Sequence, residues 1–93
     1  MTTQTILITG SNAGFGKRMA RTLAARGHTV HAGMRDVAGR NAAVAAELGA
    51  VRHDNGGAIH PVELDPGSDA SVEAAVQAVL AASGGRIDAV INN

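Results

Sequence analysis

The residues best suited to chemistry in this sequence form one run, Thr9-Gly10-Ser11-Asn12-Ala13-Gly14-Phe15-Gly16. It sits between an apolar, β-branched stretch and a segment with helical spacing. A turn of this kind feeding a helix can hold a phosphate. The first turn of a helix presents unpaired N–H groups at the positive end of its dipole. Glycine lets the chain turn sharply and removes the Cβ that would keep a pyrophosphate from the backbone. Gly16 also permits close contact between helix and sheet, while Ser11 and Asn12 offer a hydroxyl and an amide to the phosphate. The spacing is not the generic G-x-G-x-x-G, because the residue three after Gly16 is Met19. It is T-G-x-x-x-G-x-G.

Other chemistries find little support. The four histidines, His28, His31, His53 and His60, include no i, i+4 pair, and no cysteine is present to complete a tetrahedral metal set. Ser11 and Ser83 lack the surroundings of a nucleophile. Lys and Arg number 8 and Asp and Glu number 8, so the balanced charge gives no reason to expect a nucleic-acid or membrane partner. No apolar stretch approaches a membrane span and no signal-peptide pattern opens the chain, which makes a cytoplasmic location the expectation. The 93 residues hold one aromatic side chain, Phe15, and no tyrosine. The core must therefore be built from Ala, Val, Leu and Ile, and no tyrosine-dependent step can be carried out by these residues.

The elements that position the glycine run follow from periodicity. Thr5 to Thr9 suits a strand buried on both faces. Met19, Ala20, Leu23 and Ala24 repeat at helical spacing within Phe15 to Arg26, opposite Lys17, Arg18, Arg21 and Arg26, and Gly27 is the stop. Thr29 to Met34 reads as a strand with Val30, Ala32 and Met34 on one face and His31 and Gly33 on the other. Asp36 is placed as the N-cap of an alanine-rich helix running to about Leu48 and stopping at Gly49. Arg52 to Gly57 is a loop, and Ala58 to Leu64 a third strand whose Pro61 assigns it to a sheet edge. Pro66 to Asp69 forms a turn and cap before a helix carrying Val72, Ala75, Val76, Val79 and Leu80. Ser83-Gly84-Gly85 ends that helix, and Ile87 to Asn92 is a fourth strand. Strands and helices in strict alternation imply right-handed crossovers, hence an α/β fold with a parallel sheet and helices on both faces.

The glycine turn, Gly33-Met34-Arg35-Asp36 after the second strand, Leu64-Asp65 after the third and Asn92-Asn93 after the fourth fall in one order along nearly the whole chain. In that order they resemble the N-terminal half of a short-chain dehydrogenase/reductase, matching its T-G-x-x-x-G-x-G motif and the beginning of its N-N-A-G motif. The resemblance implies a Rossmann-like, doubly wound parallel sheet with strands in order 3-2-1-4. Residues 1–93 would then be a partial dinucleotide-binding domain ending before the catalytic half. It implies a cofactor-binding set of Gly10, Ser11, Asn12, Gly14, Phe15, Gly16, Arg35, Leu64, Asp65 and Asn92, with no catalytic residue and no metal ligand. Asp65 has a second reading as a turn residue before Pro66-Gly67.

The same resemblance bears on the cofactor. The acid that would accept bonds from the adenine ribose of NAD closes the second strand in the family, and Met34 stands there. Arg35 follows, with a planar, permanently charged group suited to a 2′-phosphate. NADP is thus the expected cofactor, with NAD the lesser alternative. The full protein is expected to be an oxidoreductase acting on a small carbonyl or alcohol substrate, with a homo-oligomer possible. The family's Tyr-x-x-x-Lys pair has no match here, so these residues alone are expected to be inactive. Two alternatives stand beside this reading. One is a short nucleotide-binding sensor or interaction module; the other is a sugar-nucleotide epimerase, whose T-G-x-x-G-x-x-G spacing differs. If the fourth strand is left open, its apolar edge is a template for pairing with another chain.

Overall fold

The apolar run near the start of the chain becomes β1 (Thr5–Ile8), with all four residues buried. The structure, a computed structural model, describes residues 3–93. β1 can be apolar throughout because it is a central strand covered on both faces. It is flanked by β2 (Thr29–Met34) and β4 (Ala89–Ile91), and β3 (Ala58–Glu63) pairs outside β2. All three pairings are parallel, in the order β3-β2-β1-β4. Pro61 therefore lies on an edge strand, opposite Ala32. There its missing N–H leaves no interior ladder bond unmade.

Helices cover both faces. On one, α1 (Gly14–Ala25) and α2 (Ala42–Gly49) pack on Ile6, Ile8, Val30, Ala32, Met34 and Ile59. The buried residues of α1 are Gly16, Ala20 and Ala24, a stripe of small side chains four residues apart that brings the helix axis close to the sheet. On the other face, α3 (Asp69–Ala82) sets Ala75 and Val79 against Leu7 and Leu64. The ends of these helices have separate causes. At α1, Gly27 adopts φ 96°, and its N–H and that of His28 return to the carbonyls of Ala24 and Leu23. That pair of bonds is a left-handed glycine stop. At α3, the Ser68 hydroxyl accepts the Ser71 N–H, and Asp69 adds a negative charge at the positive end of the dipole.

One helix boundary departs from expectation. α2 begins at Ala42 rather than at Asp36, and Asp36 is not its N-cap. An N-cap residue has extended backbone, whereas Asp36 sits in the left-handed region at φ 54°. Its carbonyl accepts the N–H groups of Gly39 and Asn41, and its carboxylate accepts that of Arg40, closing a turn ahead of the helix. β4 is also shorter than the apolar run that specifies it, and Val90 at its centre is 54% exposed.

The register of β2 and β3 places His31 beside His60, with ring centroids 5.2 Å apart. Burial, and then the neighbouring His60, pushes the His31 imidazole below its ordinary value of 6.5. His60 is lowered by burial and then by the charge of Arg52. Both shifts favour the neutral rings. A group whose pKa is depressed on folding contributes stability above its unfolded pKa, and that contribution is lost as pH falls through the folded value. The denaturant midpoint is expected to be level above about pH 7 and to fall towards about pH 5. Replacing His60 with Gln should shallow that decline. A profile equally steep in the variant would show that the pair is not its source.

Candidate functional site

The glycine turn joins β1 to α1 and is tied to both neighbouring strands. The Ser11 N–H donates to the Gly33 carbonyl at 2.9 Å, which fixes the turn to β2. On the other side the Thr9 N–H reaches the Ile91 carbonyl at 3.0 Å. The Asn93 N–H then donates to the Thr9 hydroxyl at 2.9 Å, and its side-chain amide donates to the Gly10 carbonyl at 3.1 Å. The turn is held from outside, so its shape does not depend on its own sequence alone.

Gly14 and Gly16 differ in what surrounds them. At Gly16 a Cβ would lie 2.4 Å from the Gly10 carbonyl oxygen and 2.6 Å from the Asn93 side-chain nitrogen, so no side chain fits. At Gly14, with φ 56°, a Cβ would meet nothing within 4 Å. Gly14 faces open space. The helix behind it starts at Ala13, which provides no side-chain cap, and no acidic residue stands in the first turn. The N–H groups that begin α1 therefore remain available to an anion. α3 in the same molecule has both a cap and an acid. Beside Gly14 lies a shallow cleft framed by Lys17, Arg18 and Arg21. Two of these cations are partly committed, since Glu47 on α2 pairs with Lys17 at 3.1 Å and also with Arg21. Those contacts hold the Glu47 carboxyl below its ordinary value, Lys17 foremost.

The other expected site residues lie along the same rim, at the C-terminal ends of the strands. That is where doubly wound sheets bind ligands. Arg35 follows β2 and is exposed, while Met34 before it is buried. Leu64 is buried after β3, and its N–H donates to the Met34 carbonyl. Asp65 is half-buried and caps its own turn, one carboxylate oxygen accepting the Gly67 N–H at 2.9 Å.

Not every expected side chain faces the opening. Ser11 is fully buried, and its hydroxyl donates to the Ile8 carbonyl, so it braces the turn from within. Asn12 is half-buried in the turn itself. The Phe15 ring, 66% exposed, lines a separate apolar cleft of about 340 Å³ with Met19, Leu23 and Ile91. Its backbone N–H remains in the first turn of α1. Asn92 is exposed, and the asparagine that touches the turn is Asn93. Three contributors lie outside the expected binding set: Asn93, the Thr9 hydroxyl and Glu63, which binds the loop after β2. The T-G and N-N pairs carry a signal for the first two, whereas Glu63 has no signal in the sequence. Among the described residues, no three His, Asp or Glu side chains converge to hold a metal, and no helix is long and apolar enough to cross a membrane.

Comparison with known proteins adds a family. The model for short chain dehydrogenases matches residues 4–93. A Streptomyces virginiae protein named for a ketoacyl reductase of the monensin polyketide synthase is 41% identical over 99% of this chain and 33% of its own length. A short-chain type dehydrogenase/reductase from Mycobacterium ulcerans superposes with a TM-score of 0.80 at 34% identity, over 99% of this chain and 33% of that one. The 3-ketoacyl-(acyl-carrier-protein) reductase of Brucella melitensis, solved with NADH, gives 0.72 at 37% identity, over 94% of this chain and 32% of that one. The chain thus spans about a third of the length of these relatives.

Proposed function

This chain belongs to the short-chain dehydrogenase/reductase family, and we propose that it is the NADP(H)-binding segment of an oxidoreductase acting on a carbonyl or alcohol. The family consists of oxidoreductases that bind nicotinamide cofactors. One observation carries the assignment to this rim: an uncapped helix start behind a glycine that faces open space. Both features suit a dinucleotide's pyrophosphate, which needs backbone N–H donors and close approach to the main chain.

Within this reading the residues bind and orient. The amides at the start of α1 take the pyrophosphate, and Asn93 and Thr9 keep the turn in the shape that receives it. Leu64 and Asp65 border the adenine side, and Arg35 takes the 2′-phosphate. The bound cofactor supplies the hydride chemistry. The 93 residues contain no tyrosine to act as proton donor, so their contribution is cofactor binding, and by themselves they turn nothing over. NADP is preferred to NAD because a buried Met34 closes β2 where an acid would otherwise receive the ribose hydroxyls, with the exposed Arg35 guanidinium next to it.

Replacing Arg35 with Ala is expected to weaken NADPH by about 1.5–3 kcal/mol, the scale of a hydrogen bond to a charged group. NADH should be held as before. Calorimetric titration of both cofactors decides it. Equal weakening of the two would show Arg35 to be structural, and would move the choice of cofactor elsewhere on the rim.

A further inference from the structure

We infer that Glu63, on the edge strand, is the positioning residue that aims Arg35 and so sets how well the site distinguishes a 2′-phosphate from a bare ribose hydroxyl. The inference rests on the reading of Arg35 given above.

Met34 and Glu63 form the last register pair between β2 and β3. Beyond that rung Arg35 leaves the sheet, and an exposed arginine on a free loop would sweep a wide volume. The loop here is not free. The peptide before Arg35 is held at its oxygen, where the Met34 carbonyl accepts the Leu64 N–H at 3.0 Å. The peptide after it is held at both ends: the Asn41 side chain donates to the Arg35 carbonyl, and the Asp36 N–H donates to Glu63 at 3.0 Å. The second Glu63 oxygen accepts the Val37 N–H at 2.9 Å. The Arg35 Cα therefore stands between two fixed peptide planes, while its guanidinium has no ion-pair partner among the described residues.

The conformation of the next residue shows that this clamp is needed. Asp36 is the one non-glycine residue with positive φ among those described. A side chain in that region persists only where its surroundings over-determine it. Two charge-assisted bonds from the Glu63 carboxylate to consecutive N–H groups add to the turn bonds that Asp36 itself accepts. The carboxylate also brings a negative charge towards an anionic ligand. Both of its oxygens are occupied by amides and the group is solvent-exposed, so screening weakens that repulsion and the placement of Arg35 is the larger effect. A guanidinium displaced by an ångström loses its paired contact with a phosphate, whereas a cofactor without the phosphate is indifferent to it.

The test compares Glu63→Ala, Glu63→Gln and Arg35→Ala by calorimetric titration with NADPH and NADH, together with amide hydrogen exchange on the ligand-free protein. In Glu63→Ala the preference for NADPH should fall about tenfold through weaker NADPH binding alone, and the Asp36 and Val37 amides should exchange faster. Glu63→Gln, of equal size and still an acceptor for one amide, should fall between Glu63→Ala and the parent. Equal weakening of both cofactors would make Glu63 a general brace and overturn the inference, as would tighter NADPH binding in Glu63→Gln, which would mark the carboxylate as a repelling charge. An Arg35→Ala variant that keeps its NADPH preference removes the reading beneath the inference. An Arg35→Ala variant that loses the preference, beside a Glu63→Ala variant that keeps it, overturns the inference alone.

Discussion

Gly57→Ala is expected to destabilise the protein by about 3 kcal/mol or more, a large share of the marginal stability of a folded domain. The added Cβ would lie 1.7 Å from the carbonyl oxygen of Ala24. That oxygen belongs to the last turn of α1 and accepts the Gly27 N–H of the helix stop, so it cannot retreat without unwinding the stop. The loop cannot retreat either. The Asn55 side chain donates to the Ala25 carbonyl and accepts the Gly57 N–H, while the Gly57 carbonyl accepts the His53 N–H. The neighbouring Gly56 is the control. A Cβ there meets nothing within 4 Å, but its φ is 94°. Gly56→Ala should therefore cost only backbone strain, about 1 kcal/mol. Urea midpoints of the two variants separate the mechanisms. If Gly57→Ala is no worse than Gly56→Ala, the loop is not packed beneath α1 as described.

Gly14→Val should leave the protein folded and remove cofactor binding. Its Cβ points into open space, so the cost to the fold is the strain of a β-branched residue at positive φ, about 1–3 kcal/mol. For a pyrophosphate lying against the amides of α1, the same branch stands where the ligand must approach. NADPH affinity is expected to fall about a hundredfold or more, equivalent to 2.7 kcal/mol and upward. Circular dichroism and titration calorimetry on one sample separate the two effects. Full NADPH affinity in a folded Gly14→Val protein would place the phosphate somewhere other than this turn. Gly16→Ala offers no such separation, because its methyl group would collide with the Gly10 carbonyl and disturb the turn itself.

These two glycines show what a sequence discloses. Gly14 announces itself through local spacing, since it stands between an apolar strand and an amphipathic helix. Gly57 lies in a polar loop that reads as ordinary turn chemistry, and its constraint comes from a helix more than thirty residues earlier in the chain. The same division runs through the rest of the fold. The strand and helix order, the edge position of β3 and the two faces of β2 are written in periodicity and in Pro61. Asp36 misleads because a capping aspartate and an aspartate at positive φ look alike until Glu63 is seen beneath the loop. Ser11 looks like a ligand hydroxyl because nothing local reveals that the Ile8 carbonyl has claimed it. At the fourth strand the two asparagines are adjacent, and only the end of pairing at Ile91 decides that the second one reaches Gly10.

The bonds from Asn93 to Thr9 and Gly10 span 84 and 83 positions of sequence, and that separation has a kinetic consequence. Closing such a loop is entropically expensive and slows the step that depends on it. β1 also needs β2 on one side and β4 on the other, so it cannot be enclosed until β4 has been made. On the ribosome, at about 5–20 residues per second, several seconds separate the synthesis of Gly10 from that of Asn93. For that interval β1 has an unpaired edge and the glycine turn has no brace on its β4 side. The glycine turn is therefore made well before the bonds that complete it can form.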